Sequence, residues 1–426
     1  MKTVILCAGR SKRLKPVSDK SLLSFNGKPS LQHKLESLSL EGFYDFILVV
    51  GSHNHDTITN LMQSLPYSYT IVEQENLDEG MAGAIKAVAK GQSSQLNQAI
   101  LVVSNNDTVD QSLIKKIAHE IENPANSELD GLIVGKKVES YFPGGYIQHD
   151  DFMHLTSIIE KPVPGTEPSD MINLVYHYFK NPNKLYEKVT AINSEHDDLY
   201  EKSLLQLVTE GAKLKVIPYA GHWVPIKNPL DIYRTARYFV EKESHAGIHS
   251  KARIHLSAQI SGDVIIEEGA KIDANAVIQG PAYIGKNTII GVGSFVRDSY
   301  IGENCVVGYA TEIARSYIGN DTWFHHNYIG DSIIGDNVSF GAGCLTGNLR
   351  LDEGEIAYGT KKLGLVTGDN IRVGIGTKFM PGTKVGSNCM IGAGLVIAED
   401  IADNSFVKTE TSLNIKPNTK EIPKRG

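Results

Sequence analysis

The sequence predicts two architectures in one chain: an α/β domain with a mostly parallel sheet, then a solenoid of short parallel strands. Two observations predict them. In the first half, short apolar runs alternate with segments of helical spacing, the pattern of strands wound with helices on both faces. In the second half an apolar residue recurs at every sixth position from Ile248 onward, and the glycines concentrate there. A period of six with an inward aliphatic is a stack of coils, three short strands to a coil.

The chain opens on Thr3-Val4-Ile5-Leu6, too short for a helix and read as a buried parallel strand. It empties into Ala8-Gly9-Arg10-Ser11-Lys12-Arg13. A second basic segment carries Lys20 and then Asn26-Gly27-Lys28-Pro29. Such a loop offers backbone N–H groups and cations to phosphates. Leu31 to Leu40 has helical spacing and ends at Gly42. Phe46 to Gly51 is a second strand, Thr57 to Leu65 a helix and Tyr69 to Val72 a third strand. Ala99 to Val103 is another buried strand, leaving through Ser104-Asn105-Asn106-Asp107. Gly131 to Gly135 is a strand, and Gly145 to Ile147 and His154 to Pro162 form a hairpin. In such a sheet ligands sit at the carboxyl ends of the strands. Pro229 to Lys242 is a helix that leads out of the domain, and Ser244-His245-Ala246-Gly247 marks the boundary.

The 426 residues suffice for two or three domains. A net charge of −7 argues against a nucleic-acid partner. The absence of a signal-type segment and of a long apolar run predicts a cytoplasmic protein with no membrane partner. Cys7, Cys305, Cys344 and Cys389 are too widely spaced for a zinc pattern or a disulfide framework and read as reduced, buried residues.

The opening stretch resembles the signature of the sugar-1-phosphate nucleotidylyltransferases, LxAGxGTRL…PKxL…GKP. Leu6, Ala8, Gly9, Arg13, Leu14, Lys20, Leu22, Gly27, Lys28, Pro29 and His33 fall in place. Ser11 replaces the second glycine and Asp19 the proline before the lysine. The resemblance continues through Gln74 and Gly80-Met81-Ala82-Gly83-Ala84-Ile85, the base-recognition segment. It runs on through Asp107 at a strand end, Gly145 with Glu160-Lys161-Pro162, and Asn173. It implies nucleotide contacts at Leu6, Ala8, Gly9, Gln74, Gly80 and Ala82, and catalytic cations at Arg13 and Lys20. It implies Mg²⁺ at Asp107 and sugar-phosphate contacts at Gly145, Glu160, Lys161 and Asn173. The gravest departure is Gly221-His222-Trp223-Val224-Pro225-Ile226-Lys227: Pro225 stands where the family has the second metal ligand. Three readings stay open. Asp107, phosphates and waters hold the ion; or Lys227 supplies part of its charge; or the site is impaired.

The six-residue period runs through Ile254, Ile260, Ile266, Ile272, Ile278, Ile284 and Ile290. It shifts through Ile301, Val307, Ile318, Phe324, Ile329 and Phe340, and returns at Val373, Phe379, Val385, Ile391 and Ile397. This resembles the hexapeptide repeat of left-handed β-helices, which commonly trimerise. The resemblances together imply a Rossmann-like nucleotidyltransferase domain over 1–228, a linker helix over 229–247, a left-handed parallel β-helix over 248–410 and a tail over 411–426. Trp323 to Asp331, Gly341-Ala342-Gly343-Cys344 and Asn348 further resemble the acetyltransferase half of bifunctional glucosamine-1-phosphate acetyltransferase/uridylyltransferases of archaeal type. In that pattern His325 is the general base toward acetyl-CoA as co-substrate, and Tyr328 and Asn348 bind the sugar phosphate or the sugar. The segment from Leu349 to Gly368 breaks the period and brings Lys361-Lys362.

The resulting expectation is an enzyme that joins a nucleoside triphosphate to a sugar 1-phosphate, forming a UDP- or dTDP-sugar and pyrophosphate. A solenoid acetyltransferase is the second activity it implies, and a homotrimer or higher oligomer the assembly. The opposing reading is a catalytically impaired sugar-nucleotide-binding regulatory or scaffold subunit, for which Ser11, Asn106 and Pro225 speak.

Overall fold

The computed structural model describes residues 1–17, 19–91, 98–192, 194, 198–243, 247–410, 415–422 and 424. Residues 244–246 of the expected boundary, and 411–414, 423, 425 and 426 of the expected tail, lie outside these.

The first domain is one nine-stranded sheet covered by helices. Its elements are β1 (Lys2–Leu6), α1 (Ser30–Ser39), β2 (Asp45–Val50), α2 (His55–Gln63), β3 (Ser68–Glu73), α3 (Gly80–Gly91) and β4 (Ile100–Ser104). There follow β5 (Asp107–Val109), α4 (Gln111–Glu122), β6 (Gly131–Lys137), β7 (Gly145–His149), β8 (Leu155–Glu160), β9 (Met171–Phe179), α5 (Asn183–Ala191), α6 (Leu199–Thr209), β10 (Leu214–Pro218), β11 (Trp223–Pro225) and α7 (Pro229–Glu243). Strands β3, β2, β1 and β4 pair in parallel, in that order. The Val, Ile and Leu runs of β2, β1 and β4 are buried on both faces, as parallel strands under helices must be, whereas β3 at the edge is half-exposed. Beyond β4 the long strand β9 pairs antiparallel with β4, β6 and β7, and β7 with β8. β10 adds to β6 in parallel. Two apolar layers result, one on each face of the sheet. The small ribbon β5–β11 stands apart from the sheet and places Pro225 opposite Asp107.

The second domain is a parallel β-helix. Its core is the aliphatic column that the six-residue period announces, from Ile266 to Ile397. Ile254 and Ile260 pack against its open end, and Ile248 beyond them stands 49% exposed. The shift in the period has a simple cause. Ile266, Ile284, Ile301, Ile318 and Ile334 stack one on another, and the coils between them shorten from eighteen residues to seventeen and then sixteen. Tight corners shorten with them: Asn287, Asn304, Asn337, Asn370, Asn388 and Asn404 all take left-handed φ near 55–60° there, a conformation that asparagine tolerates better than most side chains.

The two domains share a core. Tyr283, Tyr300 and Tyr317 lie on successive coils with near-parallel rings at 4.6 and 4.9 Å. Leu14, Val17 and Phe25 from the segment after the first loop, and Ile232, Ala236 and Phe239 from α7, pack on that ladder. The Tyr317 hydroxyl donates to the Ser24 carbonyl at 3.0 Å. The helix α7 therefore touches both domains, and the solenoid carries the segment that follows the basic loop. Among the described residues no helix is long and apolar enough to cross a membrane.

Candidate active site

The carboxyl ends of β1, β3 and β4 and the hairpin β7–β8 open onto one cavity of about 320 Å³. Leu6, Ala8, Gly9, Arg13, Lys20, Gln74, Gly80, Asp107, Gly145, Glu160, Lys161 and Asn173 all line it, although they span most of the first domain. Ala82 does not. Gly80, Met81 and Ala84 occupy the cavity face of α3, and the helical repeat turns the Ala82 side chain into the core, where it is 1% exposed. Ser11 adopts φ 50° and ψ 27°, the left-handed turn that a glycine would take without strain. The serine bears a cost of about 1 kcal/mol to keep the loop's shape.

The centre of the cavity is electropositive. Lys20, Lys227 and Arg13 line it, and no ion pair is made by any of them among the described residues. Burial depresses Lys20 and Lys227 to about 8, against the pull of Asp107. The Lys227 ammonium is fixed by the Pro143 carbonyl at 2.7 Å and lies 3.6 Å from the centre of the Phe142 ring. Behind the cavity, Lys34 of α1 donates to the Asp107 carbonyl and to the Tyr176 hydroxyl, and burial holds it near 8 as well. Buried cations left without counter-charges are costly. Their concentration here marks a place built for an anion brought from outside. Asp107 acts on Lys20, Lys34 and Lys227 alike. Its Oδ1 accepts from the Trp223 indole N–H at 2.8 Å, and Oδ2 is left over.

Two further groups face each other across the cavity. Gln74 is buried, and its amide N–H groups donate to the carbonyls of Asn76 at 2.9 Å and Gly80 at 3.0 Å. Its oxygen is thereby turned into an acceptor for a ligand N–H. A Cβ at Gly83 would sit 2.5 Å from the Gln74 amide nitrogen, so only glycine allows this arrangement. On the opposite side, Glu160 pairs with Lys161 at 2.8 Å and its Oε2 would lie 3.1 Å from a Cβ at Gly145. The Asn173 carbonyl oxygen accepts from His177 Nε2 at 2.7 Å, and His177 Nδ1 accepts from the Tyr200 hydroxyl at 2.8 Å. Burial holds His177 neutral, with its pKa lowered to about 3. The relay fixes the Asn173 amide so that its N–H₂ points away from His177.

The solenoid carries a second cluster. Tyr328 hydroxyl and Asn348 Nδ2 are 3.3 Å apart, and Asn348 also donates to Asp331. Arg315 holds Asp331 through two bonds of 2.7 Å. His325 is exposed on a corner of the coil. The insertion begins at Asn348, and its Lys361 and Lys362 are exposed. It then folds back so that Ile356 and Ala357 join the interdomain core.

A family model described as nucleotidyl transferase matches residues 2–241, and one described as GMPPB C-terminal domain matches residues 244–351. The bifunctional protein GlmU of Methanocaldococcus jannaschii is 33% identical over 96% of this chain and 97% of its own length. The chain belongs to the nucleotidyl transferase family. Among its relatives are the bifunctional protein GlmU of Methanococcus maripaludis, 31% identical over 97% of this chain and 99% of its own. The bifunctional sugar-1-phosphate nucleotidylyltransferase/acetyltransferase of Sulfurisphaera tokodaii is 30% identical over 96% of this chain and 100% of its own.

Sequence reasoning missed two residues that line this nucleotidyl transferase cavity, Glu201 and Trp223, and one behind it, Lys34. Lys34 reads as one polar position of an amphipathic helix, yet Tyr176 and Asp107 close over it. Glu201 of α6 lines the sugar side and is 4% exposed. Trp223 reaches Asp107 only because the β5–β11 ribbon puts them on one face. A buried lysine beside a strand-end aspartate has no local signal. The tryptophan had one, its spacing of two from the metal-ligand position.

Proposed function

We propose that this chain is a bifunctional enzyme of nucleotide-sugar synthesis. Its first domain joins a uridine or thymidine triphosphate to a sugar 1-phosphate, and its solenoid transfers an acetyl group from acetyl-CoA to an amino-sugar phosphate. One observation carries the first part: a single cavity sets an acceptor for a base N–H, uncompensated cations and sugar-contacting groups side by side. A uracil or thymine N3–H donates to the Gln74 oxygen, whereas cytosine offers an acceptor at that position and is rejected.

In the transfer step an oxygen of the sugar phosphate attacks the α-phosphorus in line. The new P–O bond forms as the α–β anhydride bond breaks, and pyrophosphate leaves with the electron pair. Arg13, Lys20 and Lys227 neutralise the charge that develops on the phosphoryl oxygens. Glu160 and Asn173 orient the sugar, so that attack is intramolecular in effect. The donor set fits a Mg²⁺ ion that keeps phosphate and water ligands, because Asp107 offers one free carboxylate oxygen. When bound, the ion would lower the charge barrier between the two phosphates. Pro225 offers it nothing, and Lys227 supplies the missing positive charge.

In the solenoid, His325 accepts a proton from the amino group as the amino nitrogen attacks the thioester carbon. The C–S bond breaks as the N–C bond is made, and CoA leaves as the thiolate, to which His325 returns the proton. Tyr328 and Asn348 hold the sugar phosphate. Val292, Tyr309 and Ile375 stand exposed on the corner that carries His325 and His326. An apolar corner of this kind supports packing of further copies beside the site, in a homotrimer or higher assembly.

Pyrophosphate release with Mg²⁺, over the common nucleoside triphosphates and sugar 1-phosphates, tests the first activity. CoA release from acetyl-CoA with glucosamine 1-phosphate tests the second. Turnover with a uridine or thymidine triphosphate is expected. Silence across the panel from protein that still binds nucleotide refutes the transferase reading.

A further inference from the structure

A cavity larger than the one above lies elsewhere. A cleft of about 1130 Å³ lies between the domains. One wall comes from the segment just after the basic loop, with Lys12, Lys15 and Pro16, and from Trp223, Val224 and Arg234. The other is built by the solenoid, with Tyr358 of the insertion, Lys384 and Asp400 to Asp403.

The charges of the cleft are unevenly spent. All three of its carboxylates serve the backbone. Asp231 accepts from the N–H groups of Lys227 and Asn228, each at 2.9 Å. Asp400 accepts from the Lys384 N–H at 2.8 Å, and Asp403 from the Ser387 N–H at 2.7 Å. The cations are less committed. Arg234 pairs with Asp231 at 3.1 Å and Lys12 reaches Asp78 at 3.7 Å, but Lys15 reaches Asp403 only at 3.9 Å, and Lys384 has no ion pair among the described residues and stands 5.8 Å from the centre of the Tyr358 ring. Arg13 and Lys227 line this cleft as well as the catalytic cavity. The surplus is positive, and the flat faces of Tyr358 and Trp223 border it. A cation would meet carboxylates already hydrogen-bonded, whereas a phosphate would meet Lys384, which makes no ion pair among the described residues, and Lys15, whose ion pair is long.

We propose that this interdomain cleft binds a phosphorylated polar metabolite, a phosphate ester on a sugar or nucleoside body, and that its occupation inhibits nucleotidyl transfer. The volume suits a ligand of nucleotide size. Lys384 and Lys15 hold the phosphate from opposite domains, and Tyr358 covers the organic part. Inhibition follows from the shared walls. A phosphate in the cleft draws Arg13 and Lys227 toward itself and takes their charge from the triphosphate. The same ligand ties the solenoid to the segment behind the basic loop, which is otherwise held by the tyrosine ladder. The site is separate from the acetyl-transfer cluster, but the insertion joins them: it starts at Asn348 and reaches the cleft at Tyr358.

The binding claim stands without turnover; the inhibition claim rests on the transferase reading. The test is calorimetry on the full chain with uridine diphosphate, glucose 1-phosphate and inorganic phosphate as separate probes. The variants are Lys384→Glu, Lys384→Gln and Lys15→Gln. Wild type is expected to bind uridine diphosphate or glucose 1-phosphate at two sites per chain. Either Lys384 variant weakens one site at least tenfold and leaves the other within twofold. Which organic phosphate shows the second site tells nucleotide from sugar phosphate. The basal rate of pyrophosphate release is unchanged in these variants, and the probe concentration that halves it rises at least threefold. A single site in wild type, or equal two-site binding in wild type and all three variants, overturns the proposal. So does a second site filled only by inorganic phosphate. Two-site binding lost in the variants, from a protein that never releases pyrophosphate, supports the cleft and refutes the transferase reading alone. If Lys384→Glu does not fold, the two glutamine variants carry the same decision.

Discussion

Replacing Lys227 by methionine tests the idea that this protein uses a fixed ammonium where its family pattern has a metal ligand. The side chain lines the catalytic cavity, is held by the Pro143 carbonyl and the Phe142 ring, and has no carboxylate within ion-pair distance among the described residues. Its charge is therefore available to a ligand. Methionine keeps the length and the contact with Phe142 but removes the charge. Loss of one charge-bearing donor to a developing phosphoryl oxygen costs about 2.7–4 kcal/mol at the transition state, a fall of about 10²–10³ in kcat. Stability should hold or improve, because a desolvated, unpaired ammonium is removed and an apolar side chain fills its place. The assay is pyrophosphate release as a function of Mg²⁺, with thermal unfolding as control. Pro225→Asp sets a second carboxylate opposite Asp107 and is expected to tighten the Mg²⁺ dependence about tenfold in wild type and to recover part of the lost kcat in Lys227→Met. The reasoning fails if Lys227→Met stays within about threefold of wild type while Arg13→Ala falls a hundredfold.

Other outcomes follow from the same geometry. Lys20 and Lys227 titrate near 8, so each keeps its charge below that value and loses it above; kcat/KM should fall above about pH 8, and Lys227→Arg should extend the plateau upward, as a pH–rate profile would read. Gly83→Ala drives a methyl into the Gln74 amide at 2.5 Å and should raise the KM for the nucleoside triphosphate at least tenfold while relaxing discrimination against cytidine triphosphate. His325→Ala should abolish CoA release and leave pyrophosphate release within twofold, because the two clusters lie on different domains. Tyr300→Ala opens a hole in the ladder beneath Ser24 and Gly27 and should lower stability by about 3–5 kcal/mol, measured by denaturant unfolding.

The sequence by itself determined the parallel strands, the helix that leads out of the first domain and the repeating solenoid, but placed no helix over Gln111–Glu122, Asn183–Ala191 or Leu199–Thr209, where the structure has three. Periods of 3.6 and six are local properties, and each survives into the fold: the helix expected over Pro229–Lys242 spans Pro229–Glu243, and the column from Ile266 to Ile397 is the solenoid core. The motif residues were legible for a related reason. Gly9, Gln74, Asp107 and Gly145 sit at strand starts and ends, and the winding of a parallel sheet sends such ends to one edge. What only the tertiary structure decided depends on segments that meet across the chain. Ala82 turned away from the cavity because a helix admits one face to it, and three cavity positions of α3 had already used that face. Lys34 became a buried cation only when Tyr176 and Asp107 closed over it. The shortened coils, the docking of Phe25 on the tyrosine ladder and the interdomain cleft have no local signature at all. They follow from the packing of two domains, where a lysine of the first loop and a lysine of a late coil come to face one space, and no spacing within the chain encodes that distance.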